Sequence, residues 1–201
     1  MSVQEARSIK LAGKDRMEIL ELNWTKDVDR FVEDIEVLGE LVPPTTLEEL
    51  KINGYNSVRF PEWFVGNIAF HLPNLVLISM SDFPKCNSLP PLGQLPILKF
   101  LNLKRMNGIS EINWDLCGSR RAFPRLEYFK LCKMESLKVW YTIYHGGRDG
   151  VSEFMFPNLY YLEITDCPNL RMKPCPHGVS QSWRIEGRSD GVIIIMGGGG
   201  I

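Results

Sequence analysis

The stretch that decides the fold is Leu98-Lys99-Phe100-Leu101-Asn102-Leu103, in which the first, fourth and sixth residues are apolar. Five other stretches keep this spacing: Met17–Leu22, Leu47–Ile52, Leu75–Met80, Leu126–Leu131 and Leu159–Ile164. The six copies start 30, 28, 23, 28 and 33 residues apart, so the pattern recurs along most of the chain. A unit that recurs at such an interval is typical of repeat proteins, in which each unit contacts only its neighbours.

Each copy predicts a short β-strand with one apolar face. The fourth and sixth residues share one face of a strand, while the residue between them points the other way. One such strand cannot bury its apolar face alone, but a stack of strands forms a continuous core. The spacing and period are those of leucine-rich repeats, which predicts an α/β repeat solenoid with a curved parallel sheet and an irregular convex side with few helices. We expect a strand, with an exposed middle residue and buried flanking residues, at Leu20–Leu22, Leu50–Ile52, Ile78–Met80, Leu101–Leu103, Phe129–Leu131 and Leu162–Ile164.

The repeats also set the expected domain bounds. We expect residues 1–191 to form one leucine-rich-repeat domain of about six to seven irregular repeats, and residues 192–201 to form a non-repeat C-terminal tail. The chain begins inside a repeat and ends in Gly197-Gly198-Gly199-Gly200-Ile201, which favours a C-terminal piece of a longer protein or a truncated gene product. Its exposed first strand would then be an aggregation liability.

The connectors between the strands carry more proline than helical pattern. One exception is Asp27–Leu41, where apolar residues recur every three to four positions and Asp27 or Asp29 can cap the start of a helix. Pro43-Pro44 should end that helix. Residues 60–64 and 89–96 are expected to be extended or to form single turns, and residues 146–150 to form a projecting loop.

Composition excludes several classes of function. Hydrophobic residues make up 44% and charged residues 23% of the chain, as in an ordinary folded protein. A net charge of −1 gives no electrostatic reason to expect nucleic acid or an anionic membrane as the main partner. The sequence has neither the roughly 20 apolar residues of a membrane span nor the apolar core of a secretory signal. These features predict an intracellular, cytoplasmic protein.

No residue pattern points to catalysis or to a cofactor. Gly13-Lys14-Asp15 lacks the Ser or Thr that follows the lysine of a phosphate loop, so we predict no nucleotide site there. The loop at 146–150 could cradle a phosphate, but it follows no evident strand-to-helix step. His71, His145 and His177 lie in connectors and loops without a Ser-His-Asp order or paired carboxylates. We therefore predict no catalytic residue, no cofactor and no enzymatic activity.

The cysteines are expected to be free thiols. Cys86, Cys117, Cys132, Cys167 and Cys175 are odd in number and have no regular disulfide spacing. Cys167, Cys175 and His177 could belong to a metal site, but zinc motifs need closer ligand pairs, so no metal is predicted. Cys167 instead occupies the position at which leucine-rich repeats place Asn or Cys to bond the turning backbone.

Alignment of the six repeats places three columns of side chains on the concave face of the sheet. The first column is Ile19, Glu49, Leu77, Phe100, Tyr128 and Tyr161; the second is Glu21, Lys51, Ser79, Asn102, Lys130 and Glu163; the third is Asn23, Asn53, Ser81, Lys104, Cys132 and Thr165. We predict that Phe100, Tyr128 and Tyr161, flanked by Lys104 and Lys130, form a protein-binding strip, because aromatic residues anchor interfaces. The alternative is that these rings only cover neighbouring apolar surface. The tryptophans at 63, 114, 140 and 183 are assigned to connectors, where they should pack.

The connectors resemble those of plant nucleotide-binding leucine-rich-repeat disease-resistance proteins, especially the grass type. The likeness is carried by Met17–Trp24 with Val42-Pro43-Pro44, by Leu50–Tyr55 leading into Phe60-Pro61-Glu62-Trp63, by Leu89-Pro90-Pro91-Leu92-Gly93-Gln94-Leu95-Pro96, and by Phe156-Pro157-Asn158-Leu159 through Leu170. It covers about residues 5–191, but the family's ATPase module is not in this sequence.

The resemblance implies a recognition and regulatory module of an innate immune receptor. Its concave face would bind a pathogen effector, a host protein or the ATPase module of the parent protein. The alternative is a generic leucine-rich-repeat scaffold or adaptor, or an inactive gene fragment.

Overall fold

A parallel sheet built from the repeats forms the front of the molecule. The structure, a computed structural model, describes residues 1–25, 31–119, 122–145, 152–173, 182–186 and 193–196. The first five strands of the sheet are β1 (Ile19–Asn23), β2 (Glu49–Asn53), β3 (Leu77–Ser81), β4 (Phe100–Lys104) and β6 (Tyr128–Cys132). It continues through β10 (Tyr161–Thr165), β12 (Ser182–Glu186) and β13 (Ile193–Met196), in the order β1-β2-β3-β4-β6-β10-β12-β13.

The six predicted strands are confirmed, and they are parallel. Each observed strand extends one residue beyond the predicted three-residue strand at both ends. They pair in register, so that Leu50, Ile78 and Leu101 lie side by side on neighbouring strands. These side chains are fully or almost fully buried, as the stacking of apolar faces requires. Leu22, on the first strand, is only half-buried, because its outer side lacks a described neighbouring repeat.

The two strands beyond the sixth repeat were not predicted. β12 pairs in parallel with β10, and β13 pairs antiparallel with β12. Trp183 was assigned to a connector, and this is wrong: it lies in β12, opposite Leu162. The periodic pattern did not reveal β12, because Ser180 lies three positions before Trp183, where each of the other copies has an apolar residue. The proposed boundary at residue 191 stays a prediction.

Two longer helices pack against each other near the N-terminus. α2 spans Phe31–Glu40, inside the predicted helical segment and ending before Pro43; the predicted capping residues Asp27 and Asp29 lie outside the described residues. α1 (Val3–Ile9) was not predicted. Its Arg7 reaches Glu40 of α2 at 2.7 Å.

Extended chain or single turns were predicted only for residues 60–64 and 89–96, but all the remaining helices in the described part of the chain are single turns. They are α3 (Glu62–Val65), α4 (Ile68–His71) and α5 (Trp114–Cys117), together with 3₁₀ turns at Leu11–Gly13 and Leu92–Gln94. Apolar residues of these turns, such as Phe64, Ile68 and Leu92, are fully buried against the back of the sheet. The core therefore closes behind the strands without long helices.

A second, smaller parallel sheet lies on the far side of the core in the later repeats. It consists of β5 (Glu111–Ile112), β7 (Val139–Tyr141) and β11 (Arg171–Lys173), in the order β11-β7-β5. The ring of Trp140 in β7 is buried and meets Phe129 of β6 with ring centroids 5.2 Å apart, so this sheet and the main sheet share one core. β8 (Ile143–His145) and β9 (Ser152–Phe154) pair antiparallel on either side of residues 146–150, which lie outside the described residues.

The chain turns away from five successive strands through the same backbone device. The residue that directly follows each strand has positive φ: Gly54, Asp82, Arg105, Lys133 and Asp166. In the first four, the amide donates to the carbonyl at the end of the next strand, as from Lys133 to Thr165 at 2.9 Å. Only glycine adopts this conformation without strain, so four of the five turns are held by the packing of the repeats.

Asparagine side chains add a further link between repeats. Asn74, Asn158 and Asn169 each follow a proline and precede a leucine, and each Nδ2 donates to a backbone carbonyl of the preceding repeat. The distances to the carbonyls of Thr45, Pro124 and Glu135 are 2.9, 2.7 and 2.9 Å. Successive turns are thus connected by side chain as well as by the core.

Candidate protein-binding face

The aromatic column predicted from the repeats is a continuous surface feature. Phe100, Tyr128 and Tyr161 are the first residues of three adjacent strands and lie directly opposite one another. Phe100 and Tyr128 stack with ring centroids 4.9 Å apart and planes 17° from parallel, and Tyr161 lies 5.8 Å from Tyr128. Phe100 and Tyr128 remain 36% and 37% exposed, whereas Tyr161 is half-buried.

A fourth ring, which the sequence analysis missed, widens this column. Tyr160 is 55% exposed, and its ring meets that of Tyr128 edge-on at 6.5 Å. Simple alternation places Tyr160 on the opposite face from Tyr161, but it lies at the turn into the strand, where alternation does not hold. Phe100, Tyr128, Tyr160 and Tyr161 are called the aromatic patch below, and Tyr128 contacts each of the other three.

The aromatic patch borders an open depression in the concave face. Its volume is about 310 Å³, and its floor includes Ser79, Asn102 and Lys130 of the second column. The Nδ2 of Asn102 donates to Ser79 Oγ at 3.2 Å, while the buried Asn102 Oδ1 has no hydrogen-bond partner. The depression therefore combines exposed π-faces with a hydrogen-bond acceptor that the described residues leave unsatisfied.

The middle residues of the strands differ from expectation in their exposure. Glu21 is exposed as predicted, but the other five are half-buried. The cause is contact between neighbouring strands: Lys130 Nζ lies 2.8 Å from Glu163 Oε1. This contact raises the pKa of Lys130, chiefly through the hydrogen bond to the Glu163 carboxylate.

The two lysines predicted to flank the strip occupy different places. Lys130 lies in the depression beside the rings. Lys104 is the last residue of β4, four positions from Phe100, which corresponds to about 13 Å along a strand. The structure therefore brings Lys130 to the aromatic patch and leaves Lys104 at the opposite end of the strands.

The other candidate groups considered from sequence do not form a described site. Cys86, Cys117 and Cys167 are buried free thiols, Cys132 is a half-buried free thiol, and Cys175 and His177 lie outside the described residues. Burial raises the pKa of Cys86 and Cys167 to about 11 and that of Cys117 to about 12. Among the residues described, no three His, Cys, Asp or Glu side chains are grouped so that they could hold a metal ion.

Cys167 makes the turn contact that its repeat position predicted. Its Sγ donates to the backbone carbonyl of Thr165 at 3.3 Å. The equivalent positions Tyr55, Phe83, Met106 and Met134 are fully buried and fill the core instead. Tyr55 also bonds the Arg59 carbonyl through its hydroxyl at 2.7 Å.

His71, the histidine whose side chain lies within the described part of the structure, also has a packing role. The ring of His71 lies 6.4 Å from Trp63 and 5.2 Å from Phe70, edge-on to both. The side chains of His145 and His177 are outside the described part of the structure. Within that part, no helix has the length and apolar character needed to span a bilayer.

The parallel strands, their period and the open concave face define a leucine-rich-repeat solenoid. The family profile described as R13L1/DRL21 LRRs matches residues 1–106, just over half of the chain. The chain belongs to this family of leucine-rich repeats.

The chain is also similar to several plant proteins. It is 29% identical over 178 residues to disease resistance protein RGA2 of Solanum bulbocastanum, covering 84% of this chain and 17% of that protein. It is 31% identical over 195 residues to putative disease resistance protein At3g14460 of Arabidopsis thaliana, covering 90% and 13% respectively. It is 35% identical over 164 residues to putative disease resistance protein RGA1 of Solanum bulbocastanum, covering 82% and 16%. The chain thus spans less than a fifth of the length of these curated relatives, and no solved structure matches it with comparable significance.

Proposed function

We propose that this chain is a protein-recognition module of a plant disease-resistance receptor and that it acts by binding rather than by catalysis. The names of its relatives support the setting, and their similarity extends over at least 82% of the chain for the three proteins above. The partner is another protein: a pathogen effector, a host protein or the ATPase module of the parent receptor. The receptor works inside the cell, in keeping with the free thiols of the four described cysteines.

The observation that carries this proposal is the aromatic patch. Isolated exposed apolar residues are common on protein surfaces, but four contiguous rings beside a depression are the composition of an interface centre. Tyr128 is the expected anchor because it contacts the other three rings. Lys130, in the depression beside the rings, and Lys104, at the far end of β4, contribute orientation more than affinity.

Binding regulates the receptor only if the partner discriminates between two states. A concave face that is covered by the ATPase module in one state and open in the other meets this condition. An effector or host protein that binds the open face then shifts the receptor toward the active state by its difference in affinity.

Site-specific photocrosslinking in plant cells tests the proposal. A photoreactive phenylalanine replaces Tyr128 in one variant and, as the matched control, Phe70 in another; Phe70 is 69% exposed but lies in α4, away from the concave face. We expect a defined protein crosslinked from position 128 and not from position 70. With that protein purified, Tyr128→Ala should weaken binding by about fivefold or more, as for an interface anchor, while Phe70→Ala leaves it unchanged. Crosslinking from both positions alike, or from neither, contradicts the proposal.

A further inference from the structure

The N-terminal end of the concave face is acidic. The first two strands and the residue before each of them present Glu18, Glu21, Glu48 and Glu49. Lys51 is the only cation on these strands, and it pairs with Glu49 at 3.1 Å, so this end has a formal charge of −3. Glu18 and Glu48 are exposed and form no ion pair or side-chain hydrogen bond. Their charge is therefore available to a partner. Arg16, in the turn before β1, is exposed and bonds neither of them.

The aromatic end has the opposite balance and satisfies its charges internally. Lys99 pairs with Glu127 at 3.1 Å and Lys130 pairs with Glu163 at 2.8 Å. With Lys104, the equivalent positions of β4, β6 and β10 have a formal charge of +1. Since two of the three lysines are already paired, an acidic partner would find little free positive charge here. The unpaired charge on the concave face is mainly that of Glu18, Glu21 and Glu48, of which Glu21 already accepts a hydrogen bond from Asn23.

The two ends are separated by a distance that one peptide segment can span. Adjacent strands are about 4.8 Å apart, so the acidic strands lie two to four strand steps, or roughly 10–19 Å, from the Phe100–Tyr128 pair. An extended chain advances about 3.3 Å per residue, and this separation corresponds to roughly three to six residues.

Resting on the proposed function, we infer that the concave face recognises a segment of its partner in which basic residues lie three to six positions from an aromatic or large apolar residue. The basic residues contact Glu18 and Glu48, and the apolar residue packs on the Phe100–Tyr128 pair. The charge fixes orientation and association rate, and the apolar residue supplies most of the affinity.

Three synthetic peptides test this chemistry with the intact chain. The first carries three lysines, a three-residue Gly/Ser spacer and a tryptophan, so that the lysines lie four to six positions from the ring. The second replaces the lysines with glutamates, and the third replaces the tryptophan with alanine. Calorimetric titration in about 50 mM salt, where screening is weak, should give at least about tenfold tighter binding of the first peptide than of the second. The difference should shrink near 1 M salt, where the Debye length is about 3 Å.

Paired charge reversals locate the effect. E18K together with E48K should abolish the preference for the lysine peptide, while E36K with E62K, which changes the net charge equally at exposed residues of α2 and α3, should preserve most of it. Tyr128→Ala should reduce the affinity of the tryptophan peptide to that of the alanine peptide. The double variant E18Q with E48Q provides the same test if charge reversal impairs folding.

Four results would overturn the inference. The first three are equal affinity for the lysine and glutamate peptides, equal effects of the two charge reversals on that affinity, and an unchanged affinity in Tyr128→Ala. The fourth is no detectable binding of any peptide at about 1 mM, a dissociation constant that corresponds to a binding free energy of roughly 4 kcal/mol. A crosslinked protein partner that depends on Tyr128 but not on Glu18 and Glu48 would also overturn it, while leaving the proposed function intact.

Discussion

Replacing Leu131 with Ala should destabilise the chain more than replacing the larger Tyr128 with Ala. Both residues belong to β6, so the strand and its backbone neighbours are the same. Leu131 is fully buried between Leu103 and Ile164, and removal of a buried leucine side chain costs roughly 2–5 kcal/mol through lost burial and a cavity. Tyr128 is already 37% exposed. Its loss removes ring contacts with Phe100, Tyr160 and Tyr161, which contribute roughly 0.5–1.5 kcal/mol each. Because part of the ring is already in solvent and no closed cavity forms, we expect a cost near the lower limit of their sum, about 1.5 kcal/mol.

Urea unfolding followed by circular dichroism measures the difference. We expect the free energy of unfolding of Leu131→Ala to lie at least about 1 kcal/mol below that of Tyr128→Ala, with unchanged slopes. Phe70→Ala, in an exposed turn, should lie within about 0.5 kcal/mol of the original chain. Equal destabilisation by the two β6 substitutions would refute the reasoning, because the Tyr128 ring would then belong to the core. The aromatic patch would no longer be a surface available to a partner.

Three other properties of the fold lead to measurable expectations. Asn158→Ala should lower the free energy of unfolding by about 0.5–1.5 kcal/mol, because it removes one hydrogen bond between repeats; no change in the urea midpoint would contradict this role. Gly54→Ala should destabilise the chain by about 1 kcal/mol or more, since φ is +78° and an added Cβ would lie 2.5 Å from the Trp24 carbonyl, whereas Gly13→Ala, with open space around it, should have little effect on the thermal midpoint. In the native chain, a thiol reagent should modify the half-buried Cys132 faster than the three buried thiols. Burial raises the pKa values of those three thiols to about 11–12 from the usual 9.0, so the unfolded chain loses these protons first as the pH rises. The free energy of unfolding should therefore fall above about pH 9, and a flat pH profile between 9 and 11 would count against this.

The repeating features of this fold were predictable because they depend on local spacing. Apolar residues two positions apart, such as Leu101 and Leu103, determine which face of β4 is buried. Because the next repeat has apolar residues at the same two positions, the register between the two strands is also determined. The same argument correctly aligned Phe100, Tyr128 and Tyr161. Helix α2 was predictable from its own periodicity and from the prolines that follow it.

The unpredicted features depend on contacts that local spacing does not encode. β5 has two residues, and only its pairing with Trp140 and the neighbouring residue of β7 makes it a strand. Tyr160 joins the aromatic patch because the chain turns just before β10, which interrupts the alternation of faces. Lys130 was predicted as a flanking cation, but the sequence alone did not indicate that Glu163 of the adjacent strand pairs with it.

The change from helices to strands behind the main sheet has a consequence for its radius of curvature. A helix is about 10 Å wide with its side chains, roughly twice the spacing of adjacent strands. α2 lies in the connector between β1 and β2 and is wider than a strand, which favours an inward bend between these two strands. Behind β4, β6 and β10, the strands β5, β7 and β11 match the spacing of the front, and the sheet can remain nearly flat. We therefore expect the sheet to curve more sharply across β1 and β2, which present the glutamates, than across β4, β6 and β10, which present the rings beside the depression.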